Sequence, residues 1–195
     1  MSQAASFDAD DAIAAVVDVA VDVAVDGAVD VGVDAGTGTG VSAFGPREWV
    51  LQPGQFAQLP GREFQELWFE LRTWSWKSLA VVPTSPGASE LDVAEKLVVV
   101  AVANTNRRMS LISAEGATVA DTDRVIAMIR AAEARGDRVI VATDSITENP
   151  AAAPIIRAVN GTVLSVRLGR SDKADVERSV AAINRNRIVG MITRG

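Results

Sequence analysis

The side chains able to do chemistry in this sequence are carboxylates, hydroxyls and amides, because histidine, cysteine and tyrosine are all absent. Their absence removes the commonest general base near neutral pH, the thiol nucleophile, thiolate metal sites and disulfides. Ser-His and Cys-His pairs are excluded with them. Two carboxylate pairs lie close in sequence, Glu115 with Asp121 and Asp144 with Glu148. Acid–base or metal chemistry would need such groups held together and away from bulk water. Solvated loop carboxylates are far commoner, so neither pair is assigned a role. A hydroxyl-rich turn, Thr84-Ser85-Pro86-Gly87-Ala88-Ser89, follows the apolar run Leu79-Ala80-Val81-Val82-Pro83.

The elements that must position these groups can be read from apolar periodicity. Phe64, Leu67, Trp68 and Leu71 fall at i, i+3, i+4 and i+7 and predict a helix over 61–74. Residues 79–83 read as a strand, 90–96 as a short helix, 98–103 as a second strand and 110–113 as a third short strand. A helix over 121–135 carries Val125, Ile129 and Ala132 on one face, with Asp121 or Thr122 to cap it and Gly136 to end it. Residues 138–143 predict a strand, 151–159 a helix, 162–167 a strand, 172–184 a helix and 188–193 the last strand. Strands that alternate with helices and are themselves continuous Val/Ile/Leu runs predict an α/β fold, a mostly parallel doubly wound sheet in three layers.

The apolar fraction of 48% is enough for a core, while no apolar run approaches the length of a bilayer span. No basic n-region precedes an apolar stretch at the start, so a secretory signal is not expected and the location predicted is cytoplasmic. Charge is unevenly spread. Residues 1–46 hold eight Asp and no Glu, Lys or Arg, leaving 19 basic against 17 acidic residues in 47–195. The nearly neutral remainder offers no strong electrostatic case for nucleic acid. Asp18, Asp22, Asp26, Asp30 and Asp34 recur every fourth residue, and valines fill most odd positions from Val17 to Val33. As a strand this puts valines on one face and Asp on the other; as a helix it stacks like charges. Residues 1–45 are expected to be a low-complexity, disordered acidic tail. Residues 46–60, with Pro46, Pro53, Gly54 and Pro60, predict an extended arm that Trp49, Leu51 and Phe56 can pin to the domain at 61–195.

From about Glu63 to Gly195 the order of segments resembles the bacterial tyrosine autokinases of capsule and exopolysaccharide synthesis, members of the MinD/ParA-like P-loop ATPases. Four places carry the resemblance. Glu63-Phe64-Gln65-Glu66-Leu67 with Leu71-Arg72-Thr73 looks like the family's leading helix. Ser78 to Gly87 looks like the strand entering its P-loop. Val139-Ile140-Val141-Ala142-Thr143-Asp144 resembles the strand ending in the Walker B aspartate, and Val163 to Gly169 followed by Ile188 to Ile192 resembles the closing stretch. The match spans roughly two thirds of the chain.

Departures from the family pattern cluster where phosphate would bind. A P-loop needs glycines, a lysine and a Mg2+-binding hydroxyl. Within the degenerate loop Thr84, Ser85, Gly87, Ser89 and Asp92, ungapped alignment puts Asp92 at the lysine position, Val93 at the hydroxyl and Leu91 at a glycine. The family's second acidic motif lies after its second strand, where the nearest match is Asn104-Thr105-Asn106. Asp144 remains, and without lysine and metal it is read as a strand-end residue. No tyrosine exists to be autophosphorylated, and Gln65 and Trp68 replace arginines of the family's self-association helix.

The resemblance with these losses implies a non-catalytic pseudo-ATPase with no catalytic residue and neither cofactor nor metal. Its role would be that of a regulator or scaffold in polysaccharide synthesis or export. The implied partner is the cytosolic part of a membrane polysaccharide co-polymerase or a homologous subunit, with recruitment to the inner membrane through it. Phe64, Trp68, Trp74 and Trp76 are the candidate interface, although core packing is the plainer reading of clustered tryptophans. One alternative is a divergent ATP/Mg-binding switch with Lys96 reaching back into the site. Another is a positioning or partitioning protein, for which neither a basic face nor an amphipathic membrane helix is evident.

Overall fold

The computed structural model describes residues 46–52, 59–105 and 107–195. The tail expectation at 1–45 and the anchoring role of Phe56 lie outside them. Six strands form one sheet in the order β1-β3-β4-β2-β5-β6. They are β1 (Arg47–Leu51), β2 (Ser78–Pro83), β3 (Met109–Ser113), β4 (Arg138–Ala142), β5 (Gly161–Arg167) and β6 (Ile188–Arg194). β2 to β6 are mutually parallel, and β1 runs antiparallel on β3 at the edge. The helices are α1 (Arg62–Leu71), α2 (Leu91–Asn104), α3 (Thr122–Ala134), α4 (Ala152–Ala158) and α5 (Lys173–Ile183). The expectation of an α/β fold with a mostly parallel sheet holds.

Alternation along the strands divides the core in two. Leu79, Val81, Met109, Leu111, Ile140 and Ala142 face α1 and α2. Ala80, Val82, Ile112, Val139, Val141 and Leu164 face α3, α4 and α5. The path from β2 to β3 runs one way across the sheet through α2. The paths from β3 to β4, β4 to β5 and β5 to β6 run the other way through helices on the opposite face, as a uniform crossover hand requires.

Two sequence expectations change. Residues 98–103 are the second half of α2, not a strand, and the short helix expected over 90–96 is its first half. Val98, Val100, Ala101 and Val102 are buried because α2 packs on the sheet at β3 and β4 and, along its side, against α1. A helix covered on both sides shows no polar stripe, so its β-branched run looks like a strand. The arm over 46–60 contributes a strand, β1, whose five residues sit between Pro46 and Pro53 and pair from Arg47 opposite Ser113 to Leu51 opposite Met109. Leu51 packs against the core beneath α2, so its anchoring role is seen.

The interface expectation is corrected for three of its four residues. Phe64, Trp68 and Trp76 lie inside the chain's own core, Trp68 with no exposed surface and its ring edge-on to Trp76 at 6.1 Å. Side chains that α1 turns onto α2 and β6 cannot also face a partner. Trp74 stays exposed in the turn after α1, and Phe69 of the helix itself is exposed as well.

Candidate functional site

In a doubly wound sheet the natural crevice lies at the carboxyl ends of the strands, where neighbouring strands send their connections to opposite faces. Here that place is between β2, whose chain leaves toward α2, and β4, whose chain leaves toward α4. A cleft of about 390 Å3 opens there, lined by Gly87, Ala88, Ser89, Glu115, Asp144, Glu148 and Asn149. Three loops build it, those after β2, β3 and β4.

Every lining carboxylate accepts backbone N–H groups of the chain itself. Glu115 takes the N–H of Glu90, the N–H of Leu91 at 3.0 Å and the hydroxyl of Ser89 at 3.0 Å. These amides form the start of α2, whose N-cap Glu90 supplies no side-chain cap of its own. A helix N-terminus collects free N–H groups and partial positive charge and thus attracts an anion. Glu115 is that anion, delivered from the neighbouring loop after β3. Glu148 takes the N–H of Gly87 at 2.7 Å, which the positive φ of 65° at Gly87 helps present. Asp144 takes the N–H of Gly116 at 2.9 Å and the amide of Asn149 at 2.6 Å. Replacing Glu115 with Ala is expected to cost about 1–2 kcal/mol of stability, the size of a lost cap with its dipole interaction. Urea unfolding of the variant checks it, and an unchanged midpoint would contradict the capping role.

The predicted site residues separate into two groups. Gly87, Ser89 and Asp144 meet at the cleft. Thr84 and Ser85 are buried below it, Thr84 bonding the carbonyl of Ser165 at 3.2 Å and the hydroxyl of Ser171 at 2.9 Å. Asp92 turns outward in the first turn of α2 to Lys96 at 2.9 Å. Lys96 lies over the Phe64 ring at 5.7 Å, so it does not reach back to the cleft. Val93 is wholly buried in the core. The residues that follow the second parallel strand also change. With 98–103 helical, the strand after the loop is β3, and the residues directly beyond it are Ala114-Glu115. Asn104 and Thr105 end α2, their side chains bonding back to the carbonyls of Val100 and Ala101, each at 2.8 Å; Asn106 is outside the described residues. The pair Asp144 and Glu148 shares the cleft, whereas Asp121 leaves Glu115 to form a capping box with Thr118.

Sequence reasoning missed the buried pair beside the cleft. Glu90 is almost fully buried and its carboxylate meets the guanidinium of Arg194, which also donates to the carbonyl of Ser89 at 3.1 Å. Its other oxygen, Oε2, is buried without a hydrogen-bond partner. Burial raises the Glu90 carboxyl above its ordinary 4.5, against the lowering pull of Ser165 and Arg194. A raised folded value means that this group's contribution to stability is full below about 4.5 and is lost as pH rises through the folded value. Glu90→Gln is therefore expected to match the parent near pH 4 and exceed its stability at pH 7. Paired unfolding curves at the two pH values decide it; a variant weaker at pH 7 would contradict the sign.

Comparison of the chain with protein-family models, with curated proteins and with solved structures found no match. The class that fold and cleft define is an α/β protein with a mostly parallel six-stranded sheet and an acidic cleft at its switch point. No helix among the described residues is long and apolar enough to cross a membrane.

Proposed function

We propose that the chain is a degenerate P-loop ATPase-like protein that acts without nucleotide chemistry, as a regulator or scaffold in exopolysaccharide or capsule synthesis or export. The observation that carries the non-catalytic part is the Glu115 carboxylate on the first amides of α2. In a nucleotide site those amides would hold phosphate. Here an internal anion takes them, and Asp144 and Glu148 add negative charge with no lysine or arginine among the residues that line the cleft. Two like charges 4 Å apart repel by about 4 kcal/mol at an effective dielectric near 20. The donor set does not fit a triphosphate, and the buried Val93 offers no oxygen to a metal at the position the resemblance gives the Mg2+ ligand.

The polysaccharide assignment is carried by the resemblance of 63–195 to the autokinases. Its partner would be the cytosolic part of a membrane polysaccharide co-polymerase, and recruitment to the inner membrane would result from that contact. Co-purification of the full chain with such a co-polymerase is the test. Reproducible capture that survives moderate salt supports the assignment, and failure to associate when both are co-expressed contradicts it. A nucleotide-dependent switch is the second reading, favoured by the cleft's position at the switch point of the sheet.

A further inference from the structure

The parallel strands begin at the end of the sheet opposite the cleft. Three segments lie side by side there: Trp76-Lys77 before β2, Arg107-Arg108 before β3 and Arg138 at the start of β4. The Val139 N–H donates to the Lys77 carbonyl at 2.8 Å, and the Arg138 N–H donates to the Arg108 carbonyl at 3.2 Å. Backbone pairing thus gathers Lys77, Arg107, Arg108 and Arg138 at one edge.

These cations do not share one fate. Arg108 and Arg135 are balanced by Asp137 and Glu48. Arg138 shares the face of Ile140, two residues on, and its guanidinium lies over the Trp76 ring, 4.5 Å from the centroid. Its Nε is buried with no hydrogen-bond partner. Arg138, Arg107 and Lys77 make no ion pair among the described residues. Burial and then the like charge of Arg107 push the Arg138 guanidinium below its ordinary range. Helix ends offset part of this charge. α1, α2 and α3 each lead into the strand that starts here, and each carboxyl end carries roughly half a negative charge. Some of the end carbonyls are already taken, Leu71 by the Trp76 indole N–H at 2.9 Å and Val100 and Ala101 by Asn104 and Thr105. A cationic excess remains.

We propose that Arg138 and Arg107, with Lys77 beside them, bind the phosphate of a phosphate monoester. A guanidinium held flat on an indole gives up little freedom when its planar fork takes two oxygens. A phosphate monoester carries about −1.5 to −2 at pH 7, which suits a group of unpaired cations better than the single charge of a carboxylate. Trp76 is only 5% exposed, with Arg138 over its ring and Trp68 edge-on to it, so it offers no free face for a base or a sugar to stack on. The phosphate is therefore the part of the ligand that is read. Arg107 and Lys77 are exposed, so solvent screens the site and its affinity is in the millimolar range. The site lies at the far end of the strands from the cleft and does not rest on the reading of that cleft.

Titration of the full chain with glycerol 3-phosphate, followed by NMR at constant ionic strength without Mg2+, tests this. The amides of Arg107, Arg108 and Arg138 and the Trp76 indole N–H should shift saturably. Arg107→Gln should raise the half-saturating concentration at least about threefold, and Arg107→Gln/Arg138→Gln at least about tenfold. Arg107 is exposed, so its replacement leaves the fold intact and keeps the test readable if the double variant is unstable. Sedimentation with vesicles of phosphatidic acid in phosphatidylcholine separates the two sources of the same group. Capture that needs phosphatidic acid and is lost in Arg107→Gln assigns a lipid headgroup; the glycerol 3-phosphate response alone assigns a soluble ligand. No saturable shift by about 50 mM ligand would overturn the proposal. So would equal responses in parent and Arg107→Gln, or shifts centred on 87–91 at the start of α2.

Discussion

Trp68→Ala is expected to lower the stability of the fold by about 4 kcal/mol, more than any other truncation proposed for this chain. The indole is fully buried where α1 meets the sheet, with Leu67 and Leu71 of its own helix in the same core and Trp76 edge-on at 6.1 Å. Truncation removes that area and leaves a cavity that rigid neighbours cannot close. Trp68→Phe should cost much less, about 1 kcal/mol. The indole Nε1 is buried with no hydrogen-bond partner, so phenylalanine removes an unpaired donor while keeping most of the apolar volume. Urea unfolding of both variants checks the pair. A small loss in Trp68→Ala with a changed oligomeric state would restore the interface role that the burial of Trp68 removes.

Asp137→Ala should rank second, with a loss of about 3 kcal/mol. Asp137 is buried just before β4 and accepts from Arg108 at 2.8 Å, Arg135 at 3.1 Å and Ser110 at 3.1 Å. Arg135 continues to Glu48, so one carboxylate ties the end of α3 to β3 and, through it, to β1. Both arginines are partly exposed and can rehydrate, which keeps the loss at the low end of the range for a broken buried pair. Burial pushes the Asp137 carboxyl up, but the hydrogen bonds from Arg108, Arg135 and Ser110 outweigh it and hold the group below its ordinary 3.8. A lowered folded value contributes stability that is present above the unfolded value and lost as pH falls through the folded one. The gap between parent and variant should therefore be full at pH 7 and narrow on acidification below about 4. A gap that is constant with pH would contradict the ionic origin of the effect.

The sheet was legible because five of its strands are runs whose ends are marked by turns, such as Gly136-Asp137 before β4 and Asn160-Gly161 at β5. α2 was not, since a helix buried on two sides gives no polar stripe to measure its period against. That one error put Asn104, rather than Glu115, after the second parallel strand. The cleft was half legible. Gly87, Ser89 and Asp144 are expected from their places at strand ends. What Glu115 does there depends on β3 lying beside β4 and two strands from β2, a long-range arrangement that no local pattern encodes. Glu90 was missed for a similar reason: its partner Arg194 comes from the opposite end of the folded region. The clustered tryptophans show the limit of composition, since Trp68 and Trp76 are core and Trp74 is surface within one short stretch.

The central claim is that the chain's own carboxylates occupy the amides a phosphate would need. Calorimetric titration of the full chain with MgATP and MgADP tests it most directly. The account predicts no heat of binding at nucleotide concentrations of about 1 mM, a dissociation constant weaker than that limit. Saturable, Mg2+-dependent binding in the micromolar range would contradict it, because Glu115 would then have to leave the start of α2 to admit the nucleotide.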